Sequence, residues 1–148
     1  MSRPKALISW SSGKDSAFAL HEVRRAGELD VVGALTTVTE TFGRVSIHGV
    51  RQEILQAQCE AAGLPQRIVP IPYPCPNEIY EARMGEAVAQ AAQDGITHMI
   101  FGDLFLAEIR AYRDPTSCTG PYVAWPYSQL TDFVPKSGLV TLTLNAAP

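Results

Sequence analysis

Residues 5–20 read KALISWSSGKDSAFAL, and this stretch contains the pattern that decides the fold. A short apolar run at residues 6–10 is typical of a buried parallel strand. A turn of small polar residues, SSGKD, follows it, and apolar residues then recur at helical spacing from Ala17 onward. The stretch therefore predicts a strand, a tight loop and the amino end of a helix.

The predicted loop has the features of an anion-binding site. The first backbone N–H groups of a helix lack intrahelical partners and lie at the positive end of the helix dipole. Small residues allow phosphate oxygens to approach those groups closely. Lys14 adds a cation, and hydroxyl donors come from Ser11, Ser12 and Ser16. Asp15 can cap the helix or hold a magnesium ion beside the phosphates. The alternative is an ordinary strand–helix turn with an exposed lysine.

The spelling of the loop excludes two familiar phosphate-binding patterns. A Walker A loop needs glycine where Ile8 stands and serine or threonine where Asp15 stands, and no G-x-G-x-x-G dinucleotide pattern is present. The string SSGKDS instead resembles SGGKDS, the PP-loop of ATP pyrophosphatases that form adenylates. That resemblance implies a loop that binds the pyrophosphate end of ATP, with attack on the α-phosphate. Ser12 replaces the first glycine of the PP-loop, and serine has a narrower range of φ.

Length and composition indicate a globular domain with a sizeable core. The chain has 148 residues, of which 46% are hydrophobic and 18% charged. A net charge of −3 argues against non-specific DNA binding, and no apolar run approaches the roughly 20 residues that cross a bilayer. The three cysteines, Cys59, Cys75 and Cys118, form neither a disulfide framework nor a zinc pattern. We therefore expect a cytoplasmic protein without DNA or membrane partners.

Strand-like and helix-like segments alternate after the first loop. Strands are predicted at residues 31–35, 66–71 and 95–101, and helices at about residues 50–62 and from Asn77, which we expect to cap its helix. This alternation predicts a parallel sheet with helices on both faces. We expect Cys59 and His98 to be packing residues.

Two polar positions follow predicted strands, where ligands of such sheets bind. Thr36, with Thr37, is a candidate for the adenosine pocket, although these β-branched residues could simply extend the strand. Asp103 follows the fourth strand, and its carboxylate could bind magnesium or a ribose.

Four segments form a joint pattern: SWSSGKDS at residues 9–16, HGVR at 48–51, PCPNEIYE at 74–81 and FGDLFLAEIRAYR at 101–113. Together they resemble the diphthine–ammonia ligase family of PP-loop ATP-binding proteins, in particular its bacterial members. The resemblance extends over residues 5–113. It implies a three-layer α/β fold of the HUP type, with a Rossmann-like parallel sheet and helices on both faces.

The resemblance implies an ATP-dependent amide ligase, or a related α-hydrolase. ATP would activate a carboxylate as an acyl-adenylate with loss of pyrophosphate, and ammonia would then displace AMP. The catalytic candidates are Lys14, Asp103 and Arg110, and the magnesium candidates are Asp15 and Asp103. The predicted nucleotide-binding residues are Ser9, Ser11, Ser12, Gly13, Lys14, Asp15, Ser16, Thr36 and Gly102. The acceptor side would be shaped by Asn77, Glu78 and Tyr80. The resemblance does not identify the carboxylate acceptor.

Residues 114–148 differ from the family pattern. Family members continue into a second α/β portion that binds substrate, whereas this stretch is rich in proline, serine and threonine. Its alternating segment, Val140–Leu144, predicts an edge strand. We hypothesise a shift of reading frame near Arg113, which leaves an ATP-binding domain at residues 1–113 and an atypical tail. A non-catalytic nucleotide-binding module and an inactive fragment are therefore alternatives, and an exposed apolar edge would favour homo-oligomers.

Overall fold

The computed structural model describes residues 2–46 and 49–101, together with the backbone of residues 130–133 and 140–144. Strands and helices alternate through most of this part of the chain. The elements are β1 (Lys5–Ser9), α1 (Lys14–Ala26), β2 (Asp30–Thr39), β3 (Arg44–Val45), α2 (Gln52–Ala62), β4 (Gln66–Ile71), α3 (Asn77–Gln93), β5 (His98–Phe101), β6 (Leu130–Phe133) and β7 (Val140–Leu144).

Parallel strands in the order β4-β2-β1-β5 form the centre of a seven-stranded sheet. The chain runs outward from β1 through β2 to β4, and then returns to the opposite side of β1 with β5. This change of direction places the topological switch point between β1 and β5. Ligands of open α/β sheets bind at such a point, beyond the carboxyl ends of the strands. The loop that follows β1 lies at this edge.

Antiparallel strands are added to the parallel strands at the end of β2 and beyond β5. β3 pairs with the last residues of β2, β7 pairs with β5, and β6 pairs with β7. The predicted parallel sheet is therefore confirmed for the centre of a mixed sheet. Val140–Leu144 is a strand, as predicted, but the prediction that it lies at an edge is wrong, because β6 covers its outer side.

Helices cover both faces of the sheet, which confirms the predicted three-layer arrangement. Ala6 and Ile8 of β1 face α1 and α2 and pack in one core with residues such as Leu55. Leu7, between them in sequence, points to the opposite face and packs in a second core with Met84 of α3. This alternation follows from the two-residue repeat of a strand. No helix among the described residues is long and apolar enough to cross a bilayer.

The structure tests the predictions made for Cys59 in α2 and for Asn77 at the start of α3. Cys59 is buried in the core under α2, as predicted, and burial raises the pKa of its thiol. The prediction that Asn77 caps α3 is wrong. Pro76 precedes the helix in an extended conformation, and its carbonyl accepts hydrogen bonds from the N–H groups of Ile79 and Tyr80. Asn77 is consequently the first residue inside the helix.

His98, the first residue of β5, should make stability depend on pH. Burial lowers the pKa of His98 from its ordinary value of 6.5, so the unfolded chain binds more protons than the folded protein near that pH. The contribution of the neutral His98 ring to the unfolding free energy is therefore complete at pH values above the pKa of His98 in the unfolded chain. This contribution is lost as the pH falls through the pKa of His98 in the folded protein. We expect His98→Gln to weaken the fall in unfolding free energy between about pH 7.5 and about pH 5.5. Urea unfolding at the two pH values measures it.

The matched control for loss of a histidine is His21→Gln, at an exposed position on α1. An unchanged pH dependence in His98→Gln would contradict the assignment of this effect to the half-buried ring of His98.

Candidate functional site

The loop of residues 11–13 joins the carboxyl end of β1 to the amino end of α1. Gly13 precedes the helix in an extended conformation, with φ −103° and ψ 175°. Its carbonyl accepts the N–H of Ala17 at 3.3 Å, which is the first backbone bond of the helix. Among the described residues, no side chain caps α1. The N–H groups at its first turn are therefore available to an anion.

Two serine hydroxyls stabilise the loop from within. Ser16 is buried, and its hydroxyl donates to the carbonyl of Gly13 at 3.0 Å. The oxygen atoms of Ser11 and Ser16 lie 3.3 Å apart. Because Ser16 has one hydroxyl proton and gives it to Gly13, Ser11 is the donor in this pair. Both hydroxyls thus form hydrogen bonds within the loop. Direct contact of either hydroxyl with a nucleotide remains a prediction.

Lys14 and Asp15 lie side by side at the start of α1, with Nζ and Oδ1 2.8 Å apart. Their side chains are 90% and 65% exposed. An ion pair this exposed contributes about 0–1 kcal/mol to stability, so a charged ligand can separate the two groups at little cost. The structure therefore presents a cation and a carboxylate together at the positive end of a helix.

Ser12 has a left-handed backbone conformation with φ 66°. Its hydroxyl oxygen is buried and has no hydrogen-bond partner among the described residues. Serine rarely adopts a positive φ, whereas glycine does so readily. The loop thus keeps a conformation suited to glycine at the position where the PP-loop pattern has one.

Trp10 connects the loop to the rest of the fold. Its backbone N–H donates to the carbonyl of Leu35 at 2.8 Å, and its indole Nε1 donates to Oε1 of Gln58 on α2 at 3.1 Å. Neither a site role for Gln58 nor this role of Trp10 was predicted from the sequence. The available signal was a polar residue next to the buried face of α2, where Leu55 and Cys59 are in the core.

Thr36 lies beside the loop but inside β2. The strand continues to Thr39, so the alternative that these threonines extend the strand is confirmed. The side chain of Thr36 is buried, and its hydroxyl donates to the carbonyl of Trp10 at 2.8 Å. Contact of Thr36 with adenosine remains a prediction.

The other predicted site residues lie at the same edge or outside the described residues. Ser9 ends β1, and Asn77, Glu78 and Tyr80 begin α3, whose amino end faces the carboxyl edge of the sheet because crossover helices run antiparallel to their strands. Asn77 and Glu78 are exposed, whereas Tyr80 packs against the core under α3. Gly102, Asp103 and Arg110 lie outside the described part of the chain.

The described side chains fit phosphates with a hydrated magnesium ion better than an all-protein metal cage. Among the described residues, no group of three or more His, Cys, Asp and Glu side chains could hold a metal. Magnesium usually keeps several waters and is bound by one or two carboxylates together with substrate phosphates. Asp15, exposed beside the uncapped helix end, meets that requirement.

A family model described as Diphthamide synthase N-terminal domain matches residues 4–113, which is most of the chain. The match includes all four segments that carry the sequence resemblance. Comparisons with curated proteins and with solved structures gave no significant match. The chain therefore belongs to the Diphthamide synthase N-terminal domain family, a PP-loop, nucleotide-binding family of the diphthine–ammonia ligase type.

Proposed function

We propose that this protein binds magnesium–ATP at the loop after β1 and uses it to activate a carboxylate for amidation by ammonia. The observation that carries the proposal is the uncapped amino end of α1, with Lys14 exposed beside it, at the switch point of the sheet. Helix amides and a mobile ammonium group together form a site for the pyrophosphate end of a nucleotide.

The reaction has two steps in which the phosphates carry the developing charge. A carboxylate oxygen attacks the α-phosphorus, the bond to the bridging oxygen breaks, and pyrophosphate leaves. The nitrogen of ammonia then attacks the acyl carbon, loses a proton, and AMP leaves with the bonding electrons. Lys14 and the N–H groups of the first turn of α1 stabilise the negative charge that builds up on the leaving pyrophosphate.

Asp15 is the described residue that would hold magnesium, with Asp103 as the second proposed ligand. When bound, the ion neutralises phosphate charge and orients the leaving group. Lys14, Asp103 and Arg110 are the proposed catalytic residues, and the first turn of α3, with Asn77 and Glu78, would contact the acceptor. Cytoplasmic location and self-association remain predictions.

Magnesium–ATP should stabilise the wild-type protein and not the Lys14→Ala variant. A ligand at about a hundred times its Kd adds about 2.7 kcal/mol to the unfolding free energy. That corresponds to a rise in Tm of about 5–10 °C, at roughly 2–4 °C per kcal/mol for a domain of this size. The variant should lose most of this shift, because it lacks the cation beside the helix end. A thermal-shift titration measures the effect.

Lys5→Ala is the matched control, because Lys5 is an exposed lysine at the amino end of β1, away from the loop. It should keep the wild-type shift. A folded wild-type protein that shows no shift would refute nucleotide binding at this loop.

Product analysis separates the ligase from a non-catalytic nucleotide-binding module. Formation of AMP and pyrophosphate in the presence of ammonia and a carboxylate supports the ligase. Retention of intact ATP across a panel of carboxylates would leave binding in place and reject ligation.

A further inference from the structure

Trp10 marks the point where the chain leaves the sheet and enters the loop. Its N–H donates to the carbonyl of Leu35 at 2.8 Å, so its backbone still belongs to the sheet on that side. Its own carbonyl accepts the hydroxyl of Thr36 at 2.8 Å. Trp10 and Thr36 are 7% and 2% exposed, so water does not compete effectively for this bond.

The hydroxyl of Thr36 has one proton, and that proton lies in the bond to Trp10. Thr36 therefore cannot donate to a nucleotide while the loop keeps the conformation observed here. At the other end of the loop, the Ser16 hydroxyl donates a hydrogen bond to the carbonyl of Gly13. Residues 11–13 are consequently held at both ends, by Thr36 through Trp10 and by Ser16 through Gly13.

We propose that Thr36 is a positioning residue that holds the loop ready for the phosphates of ATP by fixing the carbonyl of Trp10. This inference rests on the proposed function, in which the loop binds ATP. A loop that is ordered before the ligand arrives loses less conformational entropy on binding. Without the hydroxyl of Thr36, the buried carbonyl of Trp10 has no hydrogen-bond donor. The loop then changes conformation so that this carbonyl gains another donor.

Three threonine variants isolate the role of the hydroxyl. Thr36→Val keeps the side-chain shape and removes the donor, whereas Thr36→Ser keeps the donor. Thr39→Val is the matched control, because Thr39 also lies on β2 but its hydroxyl donates to Ser46 at 3.2 Å and not to the loop. We expect Thr36→Val to raise the Kd for magnesium–ATP about five- to tenfold, the effect of one lost hydrogen bond. The two other variants should stay within about twofold of wild type, as measured by calorimetry.

Amide exchange followed by NMR tests the positioning without a nucleotide. The N–H of Trp10 should exchange faster, relative to that of Ile8 in β1, in Thr36→Val but not in Thr36→Ser or Thr39→Val. If Thr36→Val does not fold, Gln58→Met removes the other hydrogen bond that holds Trp10, the one from its indole Nε1 to Oε1 of Gln58. Gln58→Met should raise both the Kd for magnesium–ATP and the exchange rate of the Trp10 N–H.

The outcomes distinguish this inference from the proposed function. No binding of magnesium–ATP by the wild-type protein rejects the proposed function, and the exchange of Trp10 alone then decides whether Thr36 holds the loop. A wild-type Kd and wild-type exchange in Thr36→Val overturn the inference. A loss of affinity without faster exchange of Trp10 also overturns it, since Thr36 would then contact the nucleotide directly. Equal losses in Thr36→Val and Thr39→Val would overturn it as well.

Discussion

Replacing Ser12 with glycine is expected to raise the free energy of unfolding by at least about 1 kcal/mol. Ser12 has φ 66°, in the left-handed region, and its buried hydroxyl lacks a partner among the described residues. Each of these features costs about 1–3 kcal/mol, and glycine removes both. The gain is reduced because glycine gives the unfolded chain more freedom, by about 0.5–1 kcal/mol. Urea unfolding of the two proteins measures the difference.

Ser12→Ala separates the two contributions. Alanine removes the hydroxyl but keeps a Cβ in the left-handed conformation, so its stability should lie between those of wild type and Ser12→Gly. The glycine variant should also bind magnesium–ATP at least as tightly as wild type, because phosphates can approach a backbone without a Cβ more closely. A glycine variant that is less stable than wild type would show that the serine is not strained in this loop.

Replacing Gly33 with alanine is expected to lower the free energy of unfolding by about 1–3 kcal/mol. A Cβ at Gly33 would lie 2.9 Å from Cδ2 of Leu7 and 3.1 Å from the carbonyl oxygen of Pro65. Leu7 is fully buried, and the Pro65 carbonyl accepts the N–H of Ala34 at 2.9 Å, so neither neighbour can move freely. The pairing of β1 with β2 also shifts by a residue here, since Ala6 pairs with Val31 but Leu7 with Gly33. Denaturant unfolding measures the loss.

A double-mutant cycle with Leu7→Ala tests the stated cause. Removing Cδ2 of Leu7 relieves the shorter of the two contacts, so Gly33→Ala should cost less in that background. Residues in direct contact usually couple by about 0.5–3 kcal/mol. Equal costs in both backgrounds would show that crowding against Leu7 is not the reason.

Elements with a local pattern were predicted well from the sequence. The strand at residues 66–71 has the predicted bounds, because an apolar run there lies between the glycine after α2 and a proline-rich connection. The loop after β1 was predicted because small residues, a lysine and a helix start are adjacent in the chain. The strand Val140–Leu144 was predicted from its alternation, but its neighbours were not.

The candidate site was predicted in part for the same reason. The sequence predicted the loop and its polar residues, Ser11 to Ser16, since they are contiguous, and their contact with phosphates remains a prediction. It did not show that Ser12 is left-handed, because serine has no intrinsic preference for that conformation. It also missed Gln58, whose bond to Trp10 joins residues 48 positions apart.

The sequence by itself determined the alternation of strands and helices and the place of the loop after β1, because each depends on residues close together in the chain. It also determined the family, because four separate segments each carry a local pattern. Only the tertiary structure decided how the loop is held. The bond from Thr36 to Trp10 spans 26 positions, and it forms because β1 and β2 are neighbours in one particular register. Strand order and register result from the packing of both cores at once, so no local pattern contains them.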